Sequence, residues 1–191
     1  MDDPNKQQGF RTFIGVDLPE TLKEVIAGLV RELNVKQLKL VEKENLHVTM
    51  LFLGSINIDK VDYVKGLLSR INYKRFKIAV EGLGVFSPKR PRVLFADITE
   101  GSDELRSIYN ELYNDLKANG FVLEDRPYTP HITLARIKWL DAGSRNSLLE
   151  FIDTHKERFG EFYCETLSLK QSTLTEKGPI YRNIFVKKLL L

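Results

Sequence analysis

His47-Val48-Thr49-Met50 and His131-Ile132-Thr133-Leu134 repeat one pattern 84 positions apart: a histidine, an apolar residue, a threonine and a second apolar residue. Two of the chain's three histidines lie in it, and at ordinary residue frequencies such a coincidence is on the order of one in several thousand. Side chains alternate across a strand, so each histidine shares a face with its threonine while the apolar neighbours point the other way. The repeat therefore predicts two matching strands, each anchored by apolar residues and projecting one polar pair.

The same repeat predicts a site. If the two strands lie side by side, one groove receives the imidazoles of His47 and His131 and the hydroxyls of Thr49 and Thr133. An imidazole with an ordinary pKa of about 6.5 can take or give a proton near neutrality, and hydroxyls can hold nonbridging phosphate oxygens. That set suits phosphoryl chemistry. The motifs offer two nitrogens and no repeated Asp, Glu or Cys, so we expect no metal and no cofactor.

The spacing of apolar residues predicts further strands and helices, which together form a fold with two similar halves. Strands are predicted over residues 12–18, 38–42, 46–53, 76–80, 92–98, 130–137, 162–173 and 180–190, with Gly54 closing the third and a turn through 82–84. Helices are predicted over residues 20–33, 60–71, 103–118 and 144–155. Helices that cover sheets in this order indicate an α+β fold with two sheet-bearing lobes. Residues 1–9 are polar and predict a flexible tail, leaving 10–191 as a single bilobal domain.

Composition narrows the class of protein further. The 191 residues carry 29 basic and 26 acidic side chains, a net charge of +3 that permits a phosphate-bearing ligand without requiring one. The single cysteine, Cys164, excludes an intramolecular disulfide framework and fits a reducing compartment. No apolar run approaches the roughly 20 residues of a spanning helix. We expect a cytoplasmic protein that does not contact membranes and acts as a monomer.

Beyond the repeat, five blocks of sequence carry a family resemblance. They are Phe13-Ile14-Gly15-Val16-Asp17-Leu18-Pro19, residues 44–54 around the first motif, Gly82-Leu83-Gly84-Val85-Phe86, residues 126–136 around the second motif, and Gln171-Ser172-Thr173-Leu174-Thr175 before Gly178-Pro179. Together they resemble the 2H phosphoesterase superfamily, specifically the RNA 2',3'-cyclic phosphodiesterases, also called the 2'-5' RNA ligase family. The resemblance spans nearly the whole chain from Phe10 onward.

This resemblance implies a bilobal, LigT-like fold with pseudo-twofold symmetry, in which each lobe has an antiparallel sheet with helices outside and a central groove holds both motifs. It implies metal-free opening of a terminal ribose 2',3'-cyclic phosphate to a 2'-phosphate, on RNA ends or nucleotides, with reversible 2'-5' ligation as a side reaction of the same groove. By the same resemblance His47 is the acid that protonates the 3' oxygen, His131 is the base that activates water, and Thr49 and Thr133 bind phosphate. The spacing of the motifs does not distinguish the two histidine roles, so the reverse assignment stays open at this point.

Phe52 and Arg136 occupy matching positions, five residues after each motif histidine. The resemblance implies that Phe52 stacks on the terminal base and that Arg136 approaches the phosphate. Strict alternation would put both on the face opposite their histidines, so each role requires a twist, a bulge or a strand end. A core position for Phe52 and a sheet-covering role for Arg136 stay open at this point.

Two other functions remain open from the sequence. One is an RNA-end binding protein in which turnover is incidental, and the other is a phosphodiesterase for another small cyclic substrate derived from a nucleotide. The basic segment 87–92 either follows an RNA backbone or is a solvated hairpin loop.

Overall fold

The computed structural model describes residues 9–33, 35–176 and 178–191, so the predicted tail lies, apart from Gly9, outside the described residues. Within them are nine strands and four α-helices. The strands are β1 Phe10–Asp17, β2 Leu38–Leu40, β3 His47–Ile56, β4 Phe76–Phe86, β5 Val93–Glu100, β6 His131–Ile137, β7 Arg158–Cys164, β8 Thr166–Thr175 and β9 Gly178–Lys188. The helices are α1 Glu20–Glu32, α2 Ile58–Arg70, α3 Ser102–Ala118 and α4 Ala142–Thr154.

The strands form antiparallel ladders in the order β7-β4-β5-β6-β3-β1-β8-β9, with β2 paired to β6. At the centre of this order, the two motif strands β3 and β6 pair through Val48 and Ile132. Two four-stranded halves, β9-β8-β1-β3 and β6-β5-β4-β7, therefore meet at the motif strands. The predictions of an α+β fold with two matching antiparallel halves, and of motif strands lying side by side, are confirmed.

Apolar side chains fix this crossing in the core. Val48, Met50, Ile132 and Leu134, the apolar members of the two motifs, are all buried, as the alternation predicts. Helix α1 turns Leu22, Ile26 and Val30 inward, and α3 does the same with Leu105, Ile108, Tyr109, Leu112 and Leu116. Spacings of three and four residues place these side chains on one face of each helix, which therefore covers the sheet.

The predictions of a strand end at Gly54 and of a turn at 82–84 are wrong. Strand β3 continues through Gly54 to Ile56, and β4 continues through Gly82 to Phe86. Both glycines have a positive φ, of 70° and 75° respectively, a conformation that produces an irregularity in the ladder without reversing the chain. Pairing resumes on either side of each glycine, so the strand direction is kept.

The predicted single strand over 162–173 is also wrong, because it is two strands that belong to different halves. Strand β7 ends at Cys164 and pairs with β4, whereas β8 begins at Thr166 and pairs with β1 and β9. The local sequence is strand-like throughout, and only the long-range partners separate the two segments. Glu165 is where the chain passes from one half to the other.

The central crossing should dominate stability. Ile132 is 0% exposed at the pair that joins the halves, so Ile132→Ala should lower the free energy of unfolding by about 2–5 kcal/mol through lost burial and a residual cavity. Ile180→Ala, at a strand position that is 61% exposed, should change it by less than about 0.5 kcal/mol. Urea unfolding measures both, and equal effects of the two substitutions would contradict the central role of the crossing.

Candidate active site

The crossing of β3 and β6 brings the two histidines to one place on the sheet. Counting outward from the Val48–Ile132 pair, His47 and Thr133 flank it on one side, and Thr49 and His131 on the other. All four lie on the same face, because each is one residue from a pair whose side chains point into the core. His47 and His131 are diagonal positions, for which a regular ladder separates the side-chain stems by about 7–8 Å.

Both imidazoles are held in the same way. His47 Nδ1 lies 2.6 Å from the carbonyl oxygen of Asn45, and His131 Nδ1 lies 2.7 Å from that of Thr129, each two residues earlier. A carbonyl only accepts, so Nδ1 carries the proton and donates it in both rings. Each neutral imidazole therefore keeps Nε2 as a proton acceptor. His47 Nε2 lies 2.8 Å from Thr49 Oγ1, whose hydroxyl donates to it.

Aromatic rings surround each imidazole. Phe13 and Tyr181 lie with ring centroids 4.8 and 5.3 Å from that of His47. Phe86 and Phe95 lie 4.9 and 5.4 Å from His131. Each imidazole therefore packs against two aromatic rings, at least one of which meets it edge-on. The Phe95 ring itself occupies the space that a side chain on Gly84 would need, since a Cβ there would lie 2.5 Å from it.

Burial disfavours the charged form of both histidines in the free chain. It lowers the pKa of His47 to about 4, against the raising effect of the Asn45 carbonyl, and the positive charge of Lys170 lowers it further. Burial also lowers the pKa of His131, against the raising effects of the Thr129 carbonyl and Asp97. An anion bound between the rings would favour their charged forms.

An ion pair between a buried lysine and a partly exposed aspartate lies beside His47. The Lys170 ammonium, which is almost fully buried, donates to Asp17 Oδ1 and to Asn183 Oδ1, both at 2.6 Å, and Ser168 Oγ donates to Asp17 Oδ2 at 3.0 Å. Burial opposes the charged form of Asp17, but the hydrogen bonds and charge of its partners outweigh burial, and the pKa of this carboxyl is lowered. Asp17, Lys170 and Asn183 line a cavity of about 470 Å³ next to His47.

The two halves match in backbone and differ in charge. Asp17 stands opposite His47 in the ladder between β1 and β3, and Asp97 stands opposite His131 in the ladder between β5 and β6. Asp97 accepts a hydrogen bond from the Ile98 amide, and no ion pair to it exists among the described residues. Asp17 therefore has a paired cation in Lys170, whereas Asp97 has no such partner among the described residues.

Two bulges decide where Phe52 and Arg136 point. In β3, the pairs Gly15–Thr49 and Ile14–Leu51 leave Met50 as an extra residue, and in β6, the pairs Phe95–Thr133 and Leu94–Ala135 leave Leu134 extra. One extra residue reverses the alternation, which puts Phe52 and Arg136 on the faces of their histidines. The roles of Phe52 and Arg136 require a twist, a bulge or a strand end, and each motif strand has a bulge at the equivalent position.

Both side chains are also accessible. Phe52 is 51% exposed, with its ring centroid 5.9 Å from that of Phe13, so it is not a core aromatic. Arg136 is exposed, and its charge lowers the pKa of His131 and opposes the upward shift of the Tyr181 pKa. Arg136 therefore lies within electrostatic range of residues from both halves.

Sequence reasoning missed Lys170, Asp17 and the aromatic rings as parts of this site. Lys170 and Asp17 are 153 positions apart, so no local pattern links them. The available signal was a lysine directly after the strand-like stretch of residues 167–169, because a buried lysine requires a partner charge. Among the residues that the structure describes, no three His, Cys, Asp or Glu side chains are grouped as metal ligands would be.

Lys170 and Asp17 have opposite effects on the pKa of His47, and substitution of each residue tests them. Lys170→Met removes a cation and leaves Asp17 unpaired, so the pKa of His47 should rise from about 4 toward the ordinary value. Asp17→Asn should move it the other way. NMR titration of the histidine Hε1 resonances measures both, with Lys187→Met as a control in which a lysine contacts the Ser69 carbonyl instead. A His47 pKa that is the same in both variants, in folded protein, would contradict this electrostatic account.

Comparison with known proteins places this geometry in a family. Residues 19–172 match the model of the 2'-5' RNA ligase superfamily. A protein of Archaeoglobus fulgidus named RNA 2',3'-cyclic phosphodiesterase is 36% identical over 178 residues, which cover 92% of this chain and 98% of that protein. No helix in the described ranges is both long and apolar enough to cross a membrane.

Solved structures agree with the fold. A Thermus thermophilus protein superposes with a TM-score of 0.72 at 28% identity, covering 93% of this chain and 97% of its own. Escherichia coli LigT, solved in complex with 3'-AMP, superposes with a TM-score of 0.81 at 22% identity and covers 96% of this chain and 100% of its own. With its paired motifs on two adjoining strands and a family match over most of its length, the chain belongs to the 2'-5' RNA ligase superfamily of 2H phosphoesterases.

Proposed function

We propose that this chain is an RNA 2',3'-cyclic phosphodiesterase, which hydrolyses a terminal ribose 2',3'-cyclic phosphate to a 2'-phosphate without a metal ion. The observation that carries the proposal is the pair of imidazoles at one strand crossing, each with Nδ1 fixed by a carbonyl so that Nε2 accepts. The name of the Archaeoglobus fulgidus relative, which matches along almost its whole length, supports the substrate. The complex of Escherichia coli LigT with 3'-AMP supports a nucleotide-binding groove.

In the proposed reaction, His131 Nε2 takes a proton from water as the water oxygen attacks phosphorus. The bond from phosphorus to O3' breaks, and His47, protonated at Nε2 when the anionic phosphate binds, gives its proton to O3'. One water is consumed, and the phosphate stays on O2'. Attack and departure lie on opposite sides of phosphorus, which suits two imidazoles that flank the phosphate from different strands.

The threonine hydroxyls bind the nonbridging oxygens. In the free chain the Thr49 hydroxyl donates to His47 Nε2. Once Nε2 carries a proton it can no longer accept, so the Thr49 hydroxyl becomes available to donate to phosphate. Protonation of His47 and binding of the phosphate thereby support each other. Thr133 is the equivalent hydroxyl on β6 and acts on the same group from the other strand.

Phe52 and Arg136 extend the site along its two strands. The exposed Phe52 ring stacks on the base of the terminal nucleotide, and the Arg136 guanidinium approaches the phosphate. When a 5'-hydroxyl replaces the water, the same proton transfers give a 2'-5' linkage, which is the ligase side reaction of this groove.

One chain supplies the complete set of groups, so residues 10–191 act as one domain and as a monomer. The buried free thiol of Cys164 fits a reducing, cytoplasmic setting. Light scattering coupled to size-exclusion chromatography measures the mass directly.

Activity of histidine variants is the main test. With a nucleoside 2',3'-cyclic phosphate and EDTA present, His47→Ala and His131→Ala should each lower kcat by about 10²- to 10⁴-fold, the usual contribution of a general acid or base. His155→Ala is the matched control, because His155 Nδ1 also lies against a carbonyl, that of Phe151 at 2.7 Å, but at the end of α4.

The product and the substrate range separate the alternatives. Phosphate retained on O2' agrees with the proposal. Tight binding of cyclic ends without multiple turnovers would indicate an RNA-end binding protein, and hydrolysis confined to 3',5'-cyclic nucleotides would indicate another small cyclic substrate. Loss of activity in EDTA that zinc restores would contradict the metal-free mechanism.

Base stacking has its own test. Phe52→Ala should raise KM for cyclic nucleotide ends about five-fold or more, since stacking of a base on an aromatic ring contributes about 1–3 kcal/mol. Phe52→Tyr keeps a ring and should leave KM close to that of the unmodified chain. An unchanged KM for Phe52→Ala would remove the stacking role.

A further inference from the structure

A second cavity, of about 310 Å³, lies away from the histidines. It is formed by the loop between β4 and β5, the loop after β6 and the first turn of α4. Five cations line it: Lys89, Arg90, Arg92, Lys138 and Arg145. Arg92 Nη1 donates to the Lys138 carbonyl oxygen at 2.7 Å, which joins the two loops. A hydrogen bond therefore connects the two loops that form the cavity.

The lining of the cavity carries a strong positive charge. The five cations and Asp141 give the lining a formal charge of +4, which exceeds the +3 of the whole chain. In the part of the chain that the structure describes, none of the five cations forms an ion pair. Asp141 accepts instead from Ser144 and from Gln37 Nε2. The cavity therefore attracts anions.

Two polar and aromatic features point to a ligand there. Arg145 Nε is buried and has no hydrogen-bond partner among the described residues. Trp139, the chain's single tryptophan, lines the cavity and is 64% exposed. A guanidinium nitrogen without a partner needs an acceptor, and an exposed ring beside cations is the combination that binds the bases and backbone of single-stranded nucleic acid.

Strand β6 connects this cavity to the site. His131 begins β6, Arg136 lies near its end on the same face, and Lys138 and Trp139 follow it directly. The distance along the strand from His131 to Lys138 is roughly 23 Å, at about 3.3 Å per residue. An RNA chain of only a few nucleotides, with its cyclic end between the histidines, would therefore reach the cavity by way of Arg136.

We propose that this cavity binds the phosphodiester backbone of a single-stranded RNA upstream of its 2',3'-cyclic end, with a base stacked on Trp139. The proposal deepens the proposed function and rests on it for the orientation of the RNA. It also assigns the basic segment 87–92 to RNA binding and not to a solvated hairpin. Mononucleotide substrates are too short to use the cavity, so its contribution depends on RNA length.

Binding is tested with a single-stranded RNA of about ten nucleotides that ends in a 3'-hydroxyl and so cannot be hydrolysed at a cyclic phosphate. Fluorescence of the single tryptophan reports directly on Trp139. The RNA should quench it, and Arg90→Gln with Lys138→Gln should weaken binding at least about tenfold. The slope of log Kd against log salt should also fall by about 1.4, or about 0.7 for each phosphate that the variant no longer neutralises.

Lys74→Gln with Lys188→Gln is the control, since it removes the same charge from exposed positions outside the cavity, with Lys74 preceding the other end of β4. The control should bind RNA as the unmodified chain does. Equal binding by both double variants, or equal quenching by poly-glutamate, which would indicate an acidic protein partner, overturns the proposal.

Hydrolysis separates this proposal from the proposed function. The cavity variant should raise KM for a cyclic-ended RNA of about ten nucleotides and leave kinetics on a nucleoside 2',3'-cyclic phosphate unchanged. An unmodified chain that hydrolyses neither substrate contradicts the proposed function, and the quenching result still stands. Normal hydrolysis with the same KM in variant and control contradicts only the RNA path.

Discussion

The pairing of two buried strands, through Val48 and Ile132, is the constraint on which the rest of this structure depends. Each residue of the pair is apolar and points into the core, so the residues on either side of it must point out of the core, into the groove. Those flanking positions hold the two histidines and the two threonines. The register of one strand pair therefore places every group of the proposed acid and base chemistry, and a slip by one residue would bury them all.

The two halves share fine details of the backbone but differ in their charged side chains. Both motif strands carry a one-residue bulge after the threonine, and both histidines donate Nδ1 to a carbonyl two residues earlier. Lys170, which is buried, forms an ion pair with the partly exposed Asp17 beside His47, whereas Asp97, opposite His131, forms no ion pair among the described residues. The Lys170–Asp17 pair therefore gives His47 electrostatic surroundings that differ from those of His131, and the repeated sequence does not contain this difference.

Much of the fold and of the candidate site was predictable from the sequence because it depends on local patterns of residues. The alternation within each motif predicts the buried and projecting residues, and helix periodicity predicts the four helices. The failures at Gly82 and at Glu165 have a common reason: a glycine with positive φ and a change of sheet partner both look ordinary in a short window of sequence, and the long-range pairing decides between them. The Lys170–Asp17 pair is equally non-local. From the sequence, a bulge was only one of the irregularities that the roles of Phe52 and Arg136 required. The pairing of the strands in the structure locates the two bulges at Met50 and Leu134.

The central claim is that His47 and His131 act on one phosphate group, and binding of the reaction product tests it most directly. NMR titration with a nucleoside 2'-monophosphate should shift the Hε1 resonances of both histidines along one binding curve and raise the pKa of each, because a single anion lies against both rings. The resonance of His155 should not move. Shifts confined to one motif histidine, or two curves with different dissociation constants, would mean that the rings do not share a phosphate and would contradict the account.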